Sequence, residues 1–580
     1  MKILLLSLPG LSPFIPPLSL ICLNSYLRKN KIESLCCDTA VEFLNYYLQP
    51  ERLFKKIDLS KKILREEKTP AEKYQNYSQI FNETLSKIKD YKKRIKKICC
   101  NDKINISKKC FEEDIKTIND LIVFSSVSNY PNIISLCGEF NTAIYENLEN
   151  SIYYDYYKNE IINEIFSVKP DIIGISISFY TQINPYFQLV NIIKKNFNIP
   201  IVTGGAFFSG LFSTFFQLSD NIYSVTDDKI GNIISYLNPF GVIGEGEEAL
   251  LELCQNINDV EYLKKIPGLV YYDKIRNKII INRKKEIIDV NKLPVLDLTG
   301  IPLGKKYFSP FISAPLLTNR GCYWSKCSFC VHADILDKKF RELPYDTVEK
   351  SLLNYKNNYD VTVIPIYDEA ISPKMLKKLT GFLKNNNIKV YFGSMARLEK
   401  KFEELIKPAS EAGMIMLSFG MESANQRIIN LMNKGFEADT AQKLLDICYD
   451  NGVLVELNII LGFPSETKKE ISDTVEFLVK NAEKIGILRL HIFMLNKGSR
   501  IYENPDLYGI KILPEQPDEE FFILYNSDKG LSNDDVVEIF FELSNNPLFK
   551  DKLIDFFEKF HNEEYYTIKY LIKKEENINL

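Results

Sequence analysis

The run Asn319-Arg320-Gly321-Cys322-Tyr323-Trp324-Ser325-Lys326-Cys327-Ser328-Phe329-Cys330 places three thiols within nine residues, separated by four residues and then by two. Thiolates are soft ligands that favour iron–sulfur clusters and zinc, and a loop this short can curl its sulfurs around one centre. The count of three is informative. A four-iron cube held by three cysteines keeps one iron free of protein sulfur and able to bind a small molecule, whereas an electron carrier closes its cube with four. A structural zinc site needs a fourth ligand, and His332 is the residue that would supply it. Trp324, the sole tryptophan, lies inside the loop and reads either as a shield against water or as packing at a rim.

The other nine cysteines, at 22, 36, 37, 99, 100, 110, 137, 254 and 448, are scattered through a chain of 580 residues. They read as small buried hydrophobes and not as a disulfide framework. A formal net charge of -3 gives no reason to expect nucleic-acid binding. The apolar start Met1–Leu8 runs into Pro9 and Pro13 without a small-residue cleavage pattern, so it reads as a buried first strand. No apolar stretch is long enough for a membrane span. The expected location is cytoplasmic.

The elements that must hold the cysteines follow from periodicity. Lys2–Leu8, Ser34–Cys37, Pro170–Ser178, Ile199–Gly205 and Gly241–Gly244 are apolar on both faces, as buried parallel strands are. They make residues 1–265 a doubly wound, Rossmann-like α/β domain. A helical insertion is expected at about 46–166, including a helix over Ala71–Lys97 and an aromatic-rich stretch over Tyr145–Tyr157. Residues 266–309 read as a hairpin (Ile266–Ile288) and a linker. From 310 to 505 six strand candidates alternate with helices: Pro315–Thr318, Thr362–Tyr367, Val390–Ser394, Ile415–Met421, Val453–Leu461 and Leu488–Leu495. Six such units fit a partial (βα)6 barrel, whose active site lies on the loops after the strand carboxyl ends. The cysteines follow the first of these strands. Residues 506–580 read as a helical C-terminal region, for which a cap over the barrel mouth is one role.

At this point the residues resemble a known family, the radical S-adenosylmethionine (SAM) enzymes. The commonest spacing there is three residues then two; this chain has four then two. Tyr367-Asp368-Glu369 ends the second strand, where the family contacts the amino end of SAM. Arg397, ending the third, would face the SAM carboxylate. Gly420-Met421-Glu422-Ser423, ending the fourth, is similar to the family's G-x-E-S segment near the ribose, and Gly462, ending the fifth, lies on the segment similar to the adenine-contacting one. The resemblance therefore implies Cys322, Cys327 and Cys330 as ligands of a 4Fe–4S cluster and Asp368, Glu369, Arg397, Glu422 and Gly462 as SAM contacts. Plainer readings stand beside these: a helix cap for Asp368 or Glu369, and an ion pair at strand ends for Arg397 and Glu422. His491 and Arg500 read equally as substrate contacts or as structure around the sixth strand.

The N-terminal half resembles the cobalamin-binding domain that precedes the barrel in one class of these enzymes. Ser176 and Ser178, then Gly204-Gly205, then Gly244 would surround the cofactor, although Gly204-Gly205 also reads as a tight turn. The family's D-x-H-x-x-G loop is missing. The only histidines are His332, His491 and His561, so no imidazole from this half would ligate cobalt. The resemblance implies a radical SAM enzyme that reductively cleaves SAM to a 5′-deoxyadenosyl radical. The leading expectation is a cobalamin-dependent C-methyltransferase acting on an unactivated carbon of a peptide or natural-product substrate, with a reducing partner such as flavodoxin or ferredoxin. A radical SAM cyclase, rearrangement or oxidation enzyme is the first alternative, and a non-catalytic iron–sulfur carrier or sensor the second. A methylthiotransferase would need a second cluster, for which Cys36, Cys99 and Cys137 are the available thiols. No acid–base triad is evident.

Overall fold

Ile3, Leu4, Leu5 and Leu6 are buried on both faces of an extended run, which requires cover on each side of the sheet. The computed structural model describes residues 1–66, 107–129, 134–135, 138–139, 149, 151–213, 222–224, 239–273, 278–282, 287–304, 306–331, 339–514, 522–554 and 563–578. The expected Ala71–Lys97 helix, Cys99, Cys137, His332 and His561 lie outside these residues. The chain divides into two units, Met1–Ala314 with Lys559–Leu580, and Pro315–Glu558.

The first unit is built on eight strands: β1 (Lys2–Leu6), β2 (Glu33–Cys37), β3 (Ile172–Ser176), β4 (Ile201–Gly204), β5 (Ile222–Ser224), β6 (Pro239–Val242), β7 (Leu269–Asp273) and β8 (Lys278–Ile281). Their order is β2-β1-β3-β4-β6-β7-β8-β5. The first five in that order are parallel, and the last three add antiparallel pairs. This is the doubly wound sheet expected from the sequence. Its topological switch lies between β1 and β3, above whose carboxyl ends a doubly wound fold binds its ligand.

The hairpin expected as a separate segment does form, but it extends the sheet. Gly268 makes this possible. Its φ is 68°, and a methyl group there would lie 2.6 Å from the Ile243 carbonyl oxygen. The stretch after it is no free linker either, since Asn24 Nδ2 donates to Thr299 O at 2.9 Å and Arg28 pairs with Asp297 at 3.3 Å. Within the insertion, helices Pro50–Glu66 and Lys108–Ser126 pack together. The last helix, Glu563–Ile578, also belongs to this unit. Tyr565 stacks on Phe111 and Lys569 pairs with Glu112 at 2.5 Å.

The second unit carries β9 (Val363–Ile366), β10 (Tyr391–Ala396), β11 (Met414–Glu422), β12 (Leu454–Leu461), β13 (Ile487–Ile492) and β14 (Leu553–Ile554), parallel and in chain order. Ahead of β9, Leu316 forms a parallel bridge to Ile366. Five of the six expected strands are thus present in an unclosed barrel, and the first, Pro315–Thr318, is reduced to the Leu316 bridge. The sixth strand of the sheet is instead the short β14, which pairs with β13 inside the region expected to be helical; short strands Ile510–Ile512 and Tyr525–Ser527 pair there as well. The helices between strands start where the sequence caps them. Ser372 with Pro373 opens Pro373–Asn385, and a Thr467/Glu470 capping box opens Lys468–Lys480. Along β12, Val455, Leu457, Ile459 and Leu461 are buried against the helices, while Asn458 and Ile460 are only partly covered on the other, lumenal face.

Candidate cluster and cofactor site

The cysteine loop is fixed before any metal is considered. Its base is pinned by Asp368, whose carboxylate accepts from Thr318 N at 2.8 Å, Asn319 N at 3.2 Å, Asn319 Nδ2 at 2.7 Å and the Thr318 hydroxyl. Burial pushes the Asp368 carboxyl up to about 6, against these four donors. With its oxygens so engaged, Asp368 holds the strand that launches the loop. Gly321, at φ 81°, passes 3.1 Å (to a notional methyl) from Lys339 O. Ser325 takes a left-handed φ of 46° and its hydroxyl donates to Cys322 O at 2.5 Å.

The loop is then held from a second segment, Leu431–Gly435. Ser328 N donates to Met432 O at 2.9 Å and its hydroxyl to Leu431 O at 3.1 Å. Trp324 Nε1 donates to Asn433 O at 2.7 Å. The Trp324 ring lies where a side chain on Gly435 would be, 2.2 Å from a notional methyl. Arg397 stacks on that ring, its guanidinium carbon 4.4 Å from the centroid, and donates to Lys434 O. Trp324 is thus packing at the rim.

Charge gathers beside the sulfurs. Glu422 and Lys434 form a buried ion pair at 3.0 Å, and Gly420 has no side chain where Glu422 Oε1 would be 2.6 Å from it. Glu422 itself sits at φ 67°, beside a register shift in the β11–β12 ladder. Such a conformation costs roughly 1–2 kcal/mol in a residue other than glycine. Arg397 pairs with Glu399 at 3.2 Å. The ion-pair reading therefore holds for both residues, but with Glu399 and Lys434 as partners. Burial pushes the Cys327 thiol up, while Lys434 and Arg397 pull it down. Lys434 was not a sequence candidate; nothing in Asn433-Lys434-Gly435 marks a lysine as buried. Among the described residues no three His, Cys, Asp or Glu side chains converge closely enough to hold a single metal ion. The donor set and the two cations beside it fit a four-iron cluster.

Gly462 ends β12 at φ 74°, and its N–H donates to Glu466 Oε2 at 2.8 Å. Glu369 lies half-buried at the end of β9. Burial raises Glu466 to about 7, against the N–H groups of Gly462 and Phe463. A raised carboxyl binds its proton more tightly folded than unfolded, so its contribution is full below the ordinary value of 4.5 and lost as pH rises through about 7. Over that window wild type is expected to lose about 3 kcal/mol relative to Glu466→Gln, read from urea unfolding of the apoprotein at a series of pH values. Parallel pH profiles for the two proteins would refute this.

In the first unit, the carboxyl ends of β3, β4 and β6 are drawn together by close backbone approach. Gly205, at φ 111°, would place a methyl 2.2 Å from Ile177 O, and Ile177 N donates to Gly204 O at 2.8 Å. Gly204 faces Val242 O at 3.5 Å from a notional methyl. Gly244, at φ 87°, donates its N–H to Ser209 Oγ at 3.0 Å. Contacts within the protein thus account for Gly205. Ser178 N donates to Gln182 Oε1 at 2.7 Å, and Gln182 Nε2 donates to Leu8 O at 3.1 Å, tying together the loops on both sides of the switch point. Gln182 had no sequence signal. Ser176 keeps a buried hydroxyl with no hydrogen-bond partner among the described residues, and Phe179 and Tyr180 are 57% and 54% exposed beside it. An orphan hydroxyl and exposed aromatic faces on a crest of close-packed backbone fit a large, partly apolar cofactor.

Fold and site together define a parallel, unclosed βα unit that carries a three-cysteine loop, preceded in the chain by a doubly wound α/β domain. Residues 316–478 match the Radical SAM superfamily. An uncharacterized methyltransferase of Pyrococcus horikoshii is 26% identical over 245 residues, covering 41% of this chain and 52% of that protein. The anaerobic magnesium-protoporphyrin IX monomethyl ester cyclase of Rubrivivax gelatinosus is 24% identical over 334 residues, covering 55% and 56%. The chain thus spans about half the length of these curated relatives. Among solved structures, the radical SAM methyltransferase TsrM from Kitasatospora setae, with cobalamin and a 4Fe–4S cluster bound, aligns with a TM-score of 0.59 at 12% identity, over 100% of this chain and 99% of that one. The cobalamin-dependent SAM radical enzyme OxsB, with aqua-cobalamin bound, aligns at 0.56 and 14% identity, over 91% and 64%. At these identities the likeness is one of fold. No helix among the described residues is long and apolar enough to cross a membrane.

Proposed function

We propose that the chain is a cobalamin-dependent radical SAM enzyme that methylates an unactivated carbon of a peptide or natural-product substrate, drawing electrons from a flavodoxin or ferredoxin. The observation that carries the reading is the three-cysteine loop, fixed by bonds from Asp368 and from Leu431–Gly435, with Lys434 and Arg397 beside Cys327. When bound, the cluster supplies the electron that splits SAM and the cobalamin supplies the carrier for its methyl group.

The chain's own residues do the positioning. Cys322, Cys327 and Cys330 would hold three irons as thiolates, and the Lys434 and Arg397 charges offset that negative charge. Glu422, Glu369 and Gly462, at three strand ends of the lumen, would orient SAM. In the first unit Ser176, Ser178, Gly204, Gly205 and Gly244 would receive cobalamin, with no imidazole from that half on the cobalt. A carrier would close its cube with four protein ligands, which disfavours the non-catalytic reading. The Rubrivivax gelatinosus cyclase favours a second reading, a radical SAM enzyme that closes a ring or oxidises without methyl transfer.

The test uses anaerobically reconstituted protein, cobalamin, a reductant and SAM with a deuterated methyl group. The expected result is bound cobalamin that acquires the label, with S-adenosylhomocysteine released. Formation of 5′-deoxyadenosine with no label on cobalamin would replace methyl transfer with the second reading.

A further inference from the structure

The spacer from Cys322 to Cys327 is four residues long, and a loop of that length has several ways to turn. Its backbone here is gripped from outside. Arg500, the first residue of the short helix Arg500–Glu503, donates from Nη2 to Ser325 O at 2.7 Å and from Nη1 to Lys326 O at 3.3 Å. The neighbouring Ile501 N donates to Ser328 O at 2.9 Å. From the opposite flank Asn433 Nδ2 donates to Lys326 O at 2.9 Å, while its own carbonyl receives Trp324 Nε1. Two consecutive spacer carbonyls are thus held by a guanidinium fork and a side-chain amide, immediately after Ser325 takes its left-handed turn at φ 46°.

The geometry of this fork has a specific consequence. A carbonyl that carries partial negative charge beside three thiolates is unfavourable unless a donor faces it, and a cation is the strongest such donor. Arg500 also lies beyond β13, 175 residues from Ser325 in sequence, and among the described residues its guanidinium donates to Ser325 O and Lys326 O of the loop. We infer that Arg500, with Asn433, is a positioning residue that sets the path of the Cys322–Cys327 spacer and so the spacing of the sulfurs. This rests on the reading of Cys322, Cys327 and Cys330 as cluster ligands. Arg500 acts through the loop backbone and is not a catalytic residue. Lysine is a poor substitute, because a single ammonium cannot reproduce a planar fork across two carbonyls.

The experiment compares wild type, Arg500→Ala, Arg500→Lys and Asn433→Gly, each reconstituted with iron and sulfide without oxygen. Asn433 sits at φ 54°, so glycine keeps its backbone and removes only the amide. Three quantities are read: the chelator concentration that strips half the iron, the electron paramagnetic resonance spectrum of the reduced cluster with and without SAM, and the urea midpoint of each apoprotein. The chelator concentration is expected to fall by roughly 10–100-fold in Arg500→Ala, with the SAM-induced spectral change lost and the apoprotein midpoint near wild type. Arg500→Lys is expected between the two, and Asn433→Gly to shift in the same direction by less. If Arg500→Ala unfolds as apoprotein, Asn433→Gly decides by the same readings. Wild-type chelator resistance and spectra in the folded variant overturn the inference and leave the cluster reading standing. A wild-type protein that assembles no cluster overturns both.

Discussion

Replacing Cys327 with alanine is expected to leave reconstituted protein with iron at background and 5′-deoxyadenosine formation below about 1% of wild type. The same holds for Cys322→Ala and Cys330→Ala. With only three protein thiolates available, loss of one leaves two irons of a cube without protein ligands, and the cube does not persist. The control is Cys110→Ala, a partly covered cysteine in the other unit, which is expected to keep full iron. Iron, sulfide and 5′-deoxyadenosine are measured on the same anaerobic samples. Retention of a cluster and of SAM cleavage by Cys327→Ala would remove the basis of the proposed function.

The second large effect is expected at Lys434. It and Glu422 are both buried and lie 3.0 Å apart. Burial works against the charge on Lys434, and Glu422 with the Cys327 thiol outweighs it, so its pKa moves up. Lys434→Met strands the Glu422 carboxylate in a dry site, at an expected cost of about 3–5 kcal/mol. The double variant Glu422→Gln/Lys434→Met removes both charges and is expected to recover most of that loss. Urea unfolding of the two variant apoproteins beside wild type gives the comparison; a single variant as stable as the double would show that the pair is not coupled. Glu422 also holds a left-handed backbone at φ 67° that a glycine would adopt more cheaply. Strain of this kind persists at functional sites because the surroundings over-determine it, which is consistent with Glu422 orienting a ligand in the lumen.

The parts of this protein legible in its sequence are those whose physics is local. Three thiols in nine residues point to a cluster because candidate ligands that share one loop can meet at one centre. Apolar runs such as Ile172–Ile177 announce buried parallel strands because each residue's own burial sets the pattern. The six-strand barrel and the doubly wound sheet follow from repetition of such runs, and the strand ends bearing Arg397, Glu422 and Gly462 follow from the barrel. What the chain could not disclose by itself is which distant partner each polar side chain meets. Asp368 accepts from four donors on Thr318 and Asn319, about 50 residues earlier, and nothing in its local sequence names them. Lys434 becomes a buried cation only because Glu422 turns back toward it across Gly420. Strand β14 and the final helix were assigned by hydrophobicity to one helical region, and tertiary packing sent them to different units. Local sequence sets which residues can bind metal or form strands, because those propensities reside in single residues and short spacings. Tertiary structure decides which of them are pinned, paired or spent on holding others in place, because those outcomes depend on contacts across long stretches of chain.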